Sequence, residues 1–273
     1  LKVRALADDG ATPFATLAAR SWELVPPSTI ETSAGETPFS LRVSWNAVEE
    51  ADAYTVSLYG EDEALVRDTV VADALQLLWG NILPGAYTVK VASQWSGFVF
   101  LPAEQAAVVE KYPLQVHIAD TSRMYGQENP QEYIFEYSGW IGEHTSVAQD
   151  PEVVTTAVPS SPAGDYELTV SGGEDPWYTF APVPGKLMVT KAPLHVSVAD
   201  TTRYYHKPDP DFRLIYEGFL LDDDASVLQQ EPVATSNATL ESDFGVYDIT
   251  LSGGASDRYE FIFAEEPAKL TIS

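Results

Sequence analysis

Histidine and cysteine are the residues most often used for acid–base catalysis, nucleophilic catalysis and metal binding. The chain contains four histidines, His117, His144, His195 and His206, and no cysteine. No pair of histidines has metal-ligand spacing, and no HExxH, Gly-x-Ser-x-Gly or phosphate-binding glycine loop occurs. The lack of cysteine excludes disulfides, thiolate catalysis and cysteine-ligated metals. We therefore interpret the histidines as solvated surface residues.

Carboxylates are the next candidates, because 41 Asp and Glu outnumber 15 Lys and Arg and give a net charge of −26. Such a field disfavours nucleic acids and anionic membrane surfaces as partners. Asp222, Asp223 and Asp224 form a triplet that could bind calcium, but it lacks the spacing and glycine of an EF-hand loop. A helix-capping role is the favoured interpretation, and we expect no cofactor. A hydrolase with an unrecognised carboxylate pair is a third possibility for the function.

Aromatic side chains are the candidates for ligand recognition, since an exposed ring can stack on a sugar. Trp95 and Phe98 lie in a stretch, 94–100, that we expect to be a long loop, and Trp177 has no aromatic counterpart in the repeat described next. We take Trp95, Phe98 and Trp177 as candidate contacts for an unknown protein or glycan. Packing in a core or between domains is the competing interpretation.

A repeated sequence motif defines the organisation of the second half of the chain. Residues 119–125, Ala-Asp-Thr-Ser-Arg-Met-Tyr, return as residues 199–205, Ala-Asp-Thr-Thr-Arg-Tyr-Tyr. The flanking sequences repeat at nearly the same offset, so we predict two tandem modules at residues 112–191 and 192–273. None of the four histidines is kept between the two copies.

The repeated sequence motif predicts a structural role for the same three residues in each module. Its residues are Asp120, Arg123 and Tyr125 in the first copy and Asp200, Arg203 and Tyr205 in the second. We expect each aspartate to accept backbone N–H bonds and each arginine to reach that aspartate. Each tyrosine should place its ring in the core, with its hydroxyl capping a carbonyl.

Alternating apolar and polar residues predict strands throughout the chain. Residues 114–118 and 194–198 alternate in this way at the start of each module. The acids at 222–224 precede a stretch suited to one or two helical turns. The fold class is therefore mainly β, with at most a short helical turn in each module.

Residues 27–111 resemble a fibronectin type III domain. The stretches that carry the resemblance are residues 41–48, 51–56 and 83–91. The resemblance implies a β-sandwich with Trp45 on strand B and a tyrosine corner at Tyr87. Residues 1–26 are expected to be the last hairpin of a truncated upstream domain, or else the first strand of the sandwich, and the chain is expected to be part of something longer.

The two copies resemble the MBG domain of the YGX type, found in large bacterial surface proteins that look like adhesins. The matching stretches of the first copy are residues 120–126, 129–130, 137–140, 164–172 and 184–192. The second copy has His206 in place of Gly126. It also has Ala268 in place of the exit glycine. The resemblance implies a mainly β extracellular module without catalysis.

Together these observations predict a non-enzymatic stalk or adhesion segment of a bacterial cell-surface or secreted multidomain protein. The alternative is a set of carbohydrate- or host-protein-binding modules appended to a larger extracellular enzyme. An extracellular or cell-surface location follows from the family resemblance alone, because the chain shows no signal peptide. No apolar run is long enough to insert in a membrane, and we expect a monomer.

Overall fold

A computed structural model describes residues 25–273 of the chain. The expectation for residues 1–26 therefore lies almost wholly outside the described residues. The described part of the chain divides into two compact units: residues 25–112 with 176–179, and residues 113–175 with 180–273. Residues 25–273 contain no helix with the length and hydropathy needed to cross a membrane.

The first unit contains a β-sandwich of eight strands. Their bounds are β1 Ile30–Ala34, β2 Leu41–Trp45, β3 Ala53–Tyr59, β4 Leu65–Val71, β5 Gln76–Trp79, β6 Gly85–Trp95, β7 Phe98–Val99 and β8 Ala103–Val109. One sheet has the order β1-β2-β5, and the other has the order β4-β3-β6, with β7 and β8 both paired to the free edge of β6. All strand pairs are antiparallel. This is the two-sheet architecture that the fibronectin type III resemblance implies.

The core of the sandwich is filled by alternate residues of both sheets. Val43 and Trp45 of β2 face the same core as Val56 of β3 and Val91 of β6, and all four are at most 5% exposed. Trp45 packs against Tyr54 with 5.4 Å between the ring centroids. The period-2 alternation read from the sequence is therefore the pattern that fills this core.

The end of the sandwich hairpin differs from the loop expected at residues 94–100. Strand β6 turns directly into β7, with Trp95 opposite Phe98. The two turn residues, Ser96 and Gly97, have φ angles of 49° and 83°. Positive φ at both central positions is the geometry of a type I′ turn, which matches the twist of paired strands and so continues the hairpin.

Residues 112–273 contain two copies of one seven-stranded arrangement. The first copy has β9 Tyr112–Ile118, β10 Thr121–Met124, β11 Phe135–Ser138, β12 Glu152–Val154, β13 Gly164–Ser171, β14 Tyr178–Val183 and β15 Gly185–Thr190. The second has β16 Ala192–Val198, β17 Thr201–Arg203, β18 Leu214–Glu217, β19 Val233–Ser236, β20 Gly245–Ser252, β21 Tyr259–Phe263 and β22 Ala268–Ile272. We call them module 1 and module 2.

Both modules have the same strand pairing. Module 1 has sheets β11-β9-β14 and β10-β15-β13-β12, and module 2 has β18-β16-β21 and β17-β22-β20-β19. Two equivalent pairs, β10 with β15 and β17 with β22, are parallel, and so is β16 with β21. Module 2 alone, among the described residues, has a 3₁₀ turn at Ala225–Val227, which Asp224 caps by accepting the Ser226 N–H. The fold class predicted from the sequence is confirmed.

A tyrosine near the start of one strand is tied back to the backbone in all three domains. Tyr87 donates its hydroxyl to the Leu83 carbonyl at 2.6 Å, the tyrosine corner expected in the sandwich. In the modules, Tyr166 and Tyr247 make the same bond to the carbonyl four residues earlier, each at 3.0 Å. Each tyrosine follows a Gly-x pair at the start of its strand. The three domains thus share one local hydrogen bond, from a tyrosine hydroxyl to a backbone carbonyl, that fixes the start of a strand.

Candidate functional site

The motif aspartates join neighbouring strands within each module. Asp120 Oδ1 accepts the backbone N–H of Lys186 at 2.8 Å, and Asp200 Oδ1 accepts that of Lys269 at 2.7 Å. Each aspartate immediately precedes a strand that pairs in parallel with the strand of the donating lysine. The carboxylates therefore hold the parallel pairs β10–β15 and β17–β22 in register.

The motif arginines have partners other than the aspartates expected from the sequence. Arg123 donates to Asn129 Oδ1 at 2.8 Å and to the Val158 carbonyl at 2.6 Å. Arg203 makes the equivalent bonds to Asp209 Oδ1 and the Thr239 carbonyl, both at 2.6 Å. An aspartate and an arginine three positions apart in an extended segment point to opposite faces, which is why they do not meet. Both arginines are 6% exposed and act as internal cross-links.

The motif tyrosines occupy different environments in the two modules. Tyr125 is fully buried, and its hydroxyl donates to Asp223 Oδ2 of module 2 at 2.8 Å rather than to a carbonyl. Tyr205 is only half-buried, and its ring packs against His206 and Phe244 of its own module. The Tyr125 hydroxyl therefore links module 1 to module 2.

Asp223 is the centre of a polar cluster at this meeting point, which we call the inter-module junction. Its carboxylate accepts the hydroxyls of Tyr125 and Tyr259 at 2.8 and 2.7 Å, and the Arg258 guanidinium lies 3.3 Å from the other oxygen. The side chain of Asp223 is 10% exposed. Burial, supported by the hydrogen bond to Asp223, raises the pKa of Tyr125, and burial is also the main reason that the pKa of Tyr259 is raised. Both hydroxyls are thereby held protonated as donors.

The rings around Asp223 pack closely. Tyr125 and Tyr259 meet edge to face with 5.4 Å between centroids, and the Arg258 guanidinium lies 5.6 Å from the centre of the Tyr125 ring. Phe219 covers the other side of Tyr259 at 5.3 Å. Charged hydrogen bonds in such a dry setting are stronger than in water and costly to leave half-made. The cluster consequently favours one arrangement of the two modules.

Backbone contacts complete the junction. Ala163 N–H of module 1 donates to the Asp257 carbonyl of module 2 at 2.8 Å. Gly126 lies directly under Leu220, because a Cβ at this glycine would be 2.7 Å from Leu220 Cδ1. Gly126 also has a φ of +84°, which favours glycine for a second reason. The absence of a side chain at position 126 is what lets Leu220 approach.

The two modules share a continuous hydrophobic cluster. Its buried members from module 1 are Ile118, Tyr125, Ala157, Leu168, Leu187 and Val189, and those from module 2 are Ala192, Leu194, Val196 and Tyr259. Only Lys191 separates the last strand of module 1 from the first strand of module 2. A one-residue connection next to a shared core leaves little freedom for bending.

The sequence reading missed this junction because it followed residues that the two copies share. The junction residues of module 2 are Leu220, Asp223 and Arg258, and their counterparts in module 1 are Ile141, His144 and Trp177. The sequence signal that points to the junction is a difference between the copies. Asp223 and Arg258 are replaced by other residue types in module 1.

The candidate ligand residues fall into two groups. Trp95 and Phe98 lie opposite each other on the β6–β7 hairpin and are 37% and 68% exposed. Trp177 is half-buried in the first unit, where its ring packs edge-on against Phe39 at 5.0 Å and its carbonyl accepts the Tyr112 N–H. The structure therefore brings Trp95 and Phe98 together on one surface and assigns Trp177 a packing contact.

The acidic triplet is divided among separate tasks. Asp224 caps the 3₁₀ turn, Asp223 lies in the inter-module junction, and Asp222 has a positive φ of 63° at the preceding turn. Within residues 25–273, no group of three or more His, Cys, Asp or Glu side chains is arranged to hold a metal ion. Two histidines instead lie beside glutamates: His117 is 3.3 Å from Glu136 and His206 is 3.6 Å from Glu241.

Comparison with solved structures gives only weak similarities. A biofilm-associated protein BSP domain is 12% identical with a TM-score of 0.25, covering 60% of this chain, which spans 29% of that one. Fibronectin(III)-like modules of Clostridium thermocellum CbhA are 12% identical with a TM-score of 0.23, covering 59% of this chain and 94% of that one. The FN1–FN3 domains of chicken CNTN1 are 11% identical with a TM-score of 0.29, covering 91% and 99%. These values carry no argument about function.

Comparison with protein families gives a specific result, although no curated protein matches the chain. The model of the MBG domain (YGX type) matches residues 114–188 and again residues 194–271. These two stretches correspond to module 1 and module 2 and together cover more than half of the chain. The protein therefore belongs to the MBG domain (YGX type) family, with two tandem copies of the domain.

Proposed function

We propose that the chain is a non-enzymatic stalk segment of a bacterial cell-surface or secreted multidomain protein, in which the two MBG modules act as one stiff spacer. The inter-module junction is the observation that carries the proposal. Domains that are linked flexibly need no buried carboxylate between them. Two domains that must keep a fixed relative orientation do need such a contact.

The stiffness has a physical basis in the junction. Bending module 2 away from module 1 would expose Tyr125 and Tyr259 and would separate Asp223 from Tyr125. Each hydrogen bond to a charged group contributes on the order of 1.5–3 kcal/mol, and the fully buried rings add hydrophobic free energy to this. Bent states are therefore rare at equilibrium, and a binding part elsewhere in the protein would be held at a defined distance.

The proposal is tested by residual dipolar couplings of backbone amides in the full chain. We expect amides of β9–β15 and β16–β22 to fit a single alignment tensor. Asp223→Ala should require two tensors, because it leaves the hydroxyls of Tyr125 and Tyr259 without their acceptor. The neighbouring Asp222→Ala is the matched control, since Asp222 is exposed. Two independent tensors in the wild-type chain would refute the stiff spacer.

An adhesive role for the sandwich is the second candidate. It is supported by the exposed pair Trp95 and Phe98 at the tip of the β6–β7 hairpin, with Leu101 80% exposed beside them. Large exposed apolar side chains grouped on one surface are typical of interaction sites. Screening the chain on a glycan array, with Phe98→Ala as the comparison, tests this role. Binding that Phe98→Ala abolishes supports it, whereas equal signals from both chains would discard it.

A further inference from the structure

The outer end of module 2 is the surface equivalent to the one that module 1 uses to hold module 2. On module 1 this surface contains Tyr125, Gly126 and Ala163, and the equivalent positions of module 2 are Tyr205, His206 and Phe244. The tyrosine is kept, while the glycine and the alanine of the junction are replaced by residues with large rings.

Each replacement removes a specific contact of the junction. His206 keeps the left-handed backbone of Gly126, with a φ of 60°, so its side chain projects from a backbone of the same conformation. In module 1 a Cβ at that position would already be 2.7 Å from Leu220 Cδ1. A module placed on module 2 in the same way would therefore collide with the His206 ring.

Phe244 acts at the second contact point. Its counterpart Ala163 donates its backbone N–H to the Asp257 carbonyl of the next module. Phe244 instead packs its ring against Tyr205 at 5.2 Å between centroids while remaining 70% exposed. A docked module would have to displace this ring before it could reach the backbone.

The two replacements also cover the tyrosine that the junction would otherwise use. In module 1 the Tyr125 ring is covered by Tyr259 and Arg258 of the next module. In module 2 the Tyr205 ring is covered by His206, at 4.0 Å, and by Phe244. The surface that is buried by a neighbour in one copy is shielded by the module's own side chains in the other.

We propose that the residues at positions 126/206 and 163/244 decide whether an MBG module accepts a following module, and that His206 and Phe244 close the outer end of module 2 to a module docked as module 2 docks on module 1. Small residues at both positions permit the junction, and large residues at both positions block it. This inference concerns docking selectivity and does not depend on the stalk function.

The first experiment transfers the blocking residues to the existing junction in the full chain. Gly126→His with Ala163→Phe should raise amide hydrogen exchange at position 163 by about 100-fold or more, because the bond to the Asp257 carbonyl is lost. The β13 amides in the core of module 1 should stay protected, which separates loss of the junction from unfolding. His206→Gly with Phe244→Ala is the matched control and should leave the Ala163 amide unchanged. Unchanged protection at position 163 in the first variant would overturn the proposal.

The second experiment examines the outer end itself. The full chain is extended after Ser273 by a second copy of residues 191–273, with the original module 2 either unchanged or carrying His206→Gly and Phe244→Ala. Only the substituted chain should protect the amide at position 244 of the original module. Equal protection in the two chains, or protection in neither, would overturn the proposal.

Discussion

At the scale of single residues, one carboxylate decides how the two MBG modules meet. Asp223 joins two tyrosine hydroxyls and a guanidinium at a site from which water is largely excluded. Removing one donor from such a site loses one charge-assisted bond, whereas removing the acceptor takes the carboxylate away from three donors at once. The variants of this cluster should therefore differ in severity.

Tyr125→Phe should lower the free energy of unfolding by about 1.5–3 kcal/mol, because it deletes the bond to the Asp223 carboxylate and keeps the ring. Urea unfolding followed by circular dichroism measures the loss. Tyr205→Phe is the matched control at the equivalent position, and it should cost less than about 0.5 kcal/mol. Equal losses in the two variants would show that the junction bond contributes nothing.

The buried arginines allow a comparison of a neutral and a charged partner. Asp209→Asn gives Arg203 the partner type that Arg123 has in Asn129, so it should cost no more than about 1 kcal/mol. Asn129→Ala should cost about 2–3 kcal/mol, because the Nε of Arg123 is left buried without an acceptor. Thermal melting of both variants tests the order, and a larger loss for Asp209→Asn would contradict it.

Each module has a tyrosine that is hydrogen-bonded to a carboxylate at an equivalent position. These tyrosines predict how the stability of the chain depends on pH. Tyr137 donates to Asp150 at 2.6 Å and Tyr216 to Glu231 at 2.8 Å. Burial first, and the carboxylate second, raises the pKa of each tyrosine above its ordinary value of 10.0. The folded state therefore retains protons that the unfolded state releases, so this stability is complete below about pH 10 and is lost as the pH rises above it.

The measurement is the free energy of unfolding between pH 8 and pH 11. It should fall above pH 10, and Tyr137→Phe with Tyr216→Phe should make the fall less steep. The lysines also lose charge in this range, so the difference between the two chains is the informative quantity. An identical slope in the two chains would exclude the tyrosines as its source.

At the scale of elements, the connection between two strands explains why the modules differ at the exit glycine. Gly185 starts β15 so close to β9 that a Cβ would be 2.1 Å from the Ile118 carbonyl oxygen. Ala268 has the same register in module 2, opposite Ile249 as Gly185 is opposite Leu168. The connection that leads to Ala268, residues 264–267, is three residues longer than the single residue Pro184 that leads to Gly185. That longer connection explains how module 2 accommodates a side chain that module 1 excludes.

Gly185→Ala should lower the free energy of unfolding by about 3 kcal/mol, because the new methyl group meets backbone that must shift. The reverse change in module 2, Ala268→Gly, should cost only about 0.5–1 kcal/mol through the added freedom of the unfolded chain. Chemical denaturation of the two variants provides the comparison. A Gly185→Ala chain as stable as the wild type would show that the close approach to Ile118 is unimportant.

The strands themselves could be predicted from the sequence, because their alternation reports burial on one face. The alternation at residues 114–118 and 194–198 corresponds to strands β9 and β16, and the repeat predicts that modules 1 and 2 share one fold. The β6–β7 hairpin was missed because Ser96-Gly97 is not a usual type I′ pair. The left-handed backbone of His206 could not be anticipated either, since it departs from the usual preference for glycine.

At the scale of the two-module unit, the junction could not be predicted, because it depends on residues that distinguish the copies. Comparison of the repeats identifies what both modules need for folding, such as Arg123 and Arg203. It passes over Asp223, which contacts a tyrosine 98 positions earlier in the chain. Asp223 and Arg258 stand out in the sequence only as differences between the copies, and the structure is needed to show that they are in contact.

The most direct test of this account is hydrogen exchange of the Ala163 amide, which crosses the junction to the Asp257 carbonyl. If the two modules form one body, this amide should exchange as slowly as the β13 amides in the core of module 1, because both open only on global unfolding. Exchange at the rate of an exposed loop amide, with the β13 amides still protected, would show that the modules separate freely and would contradict the account.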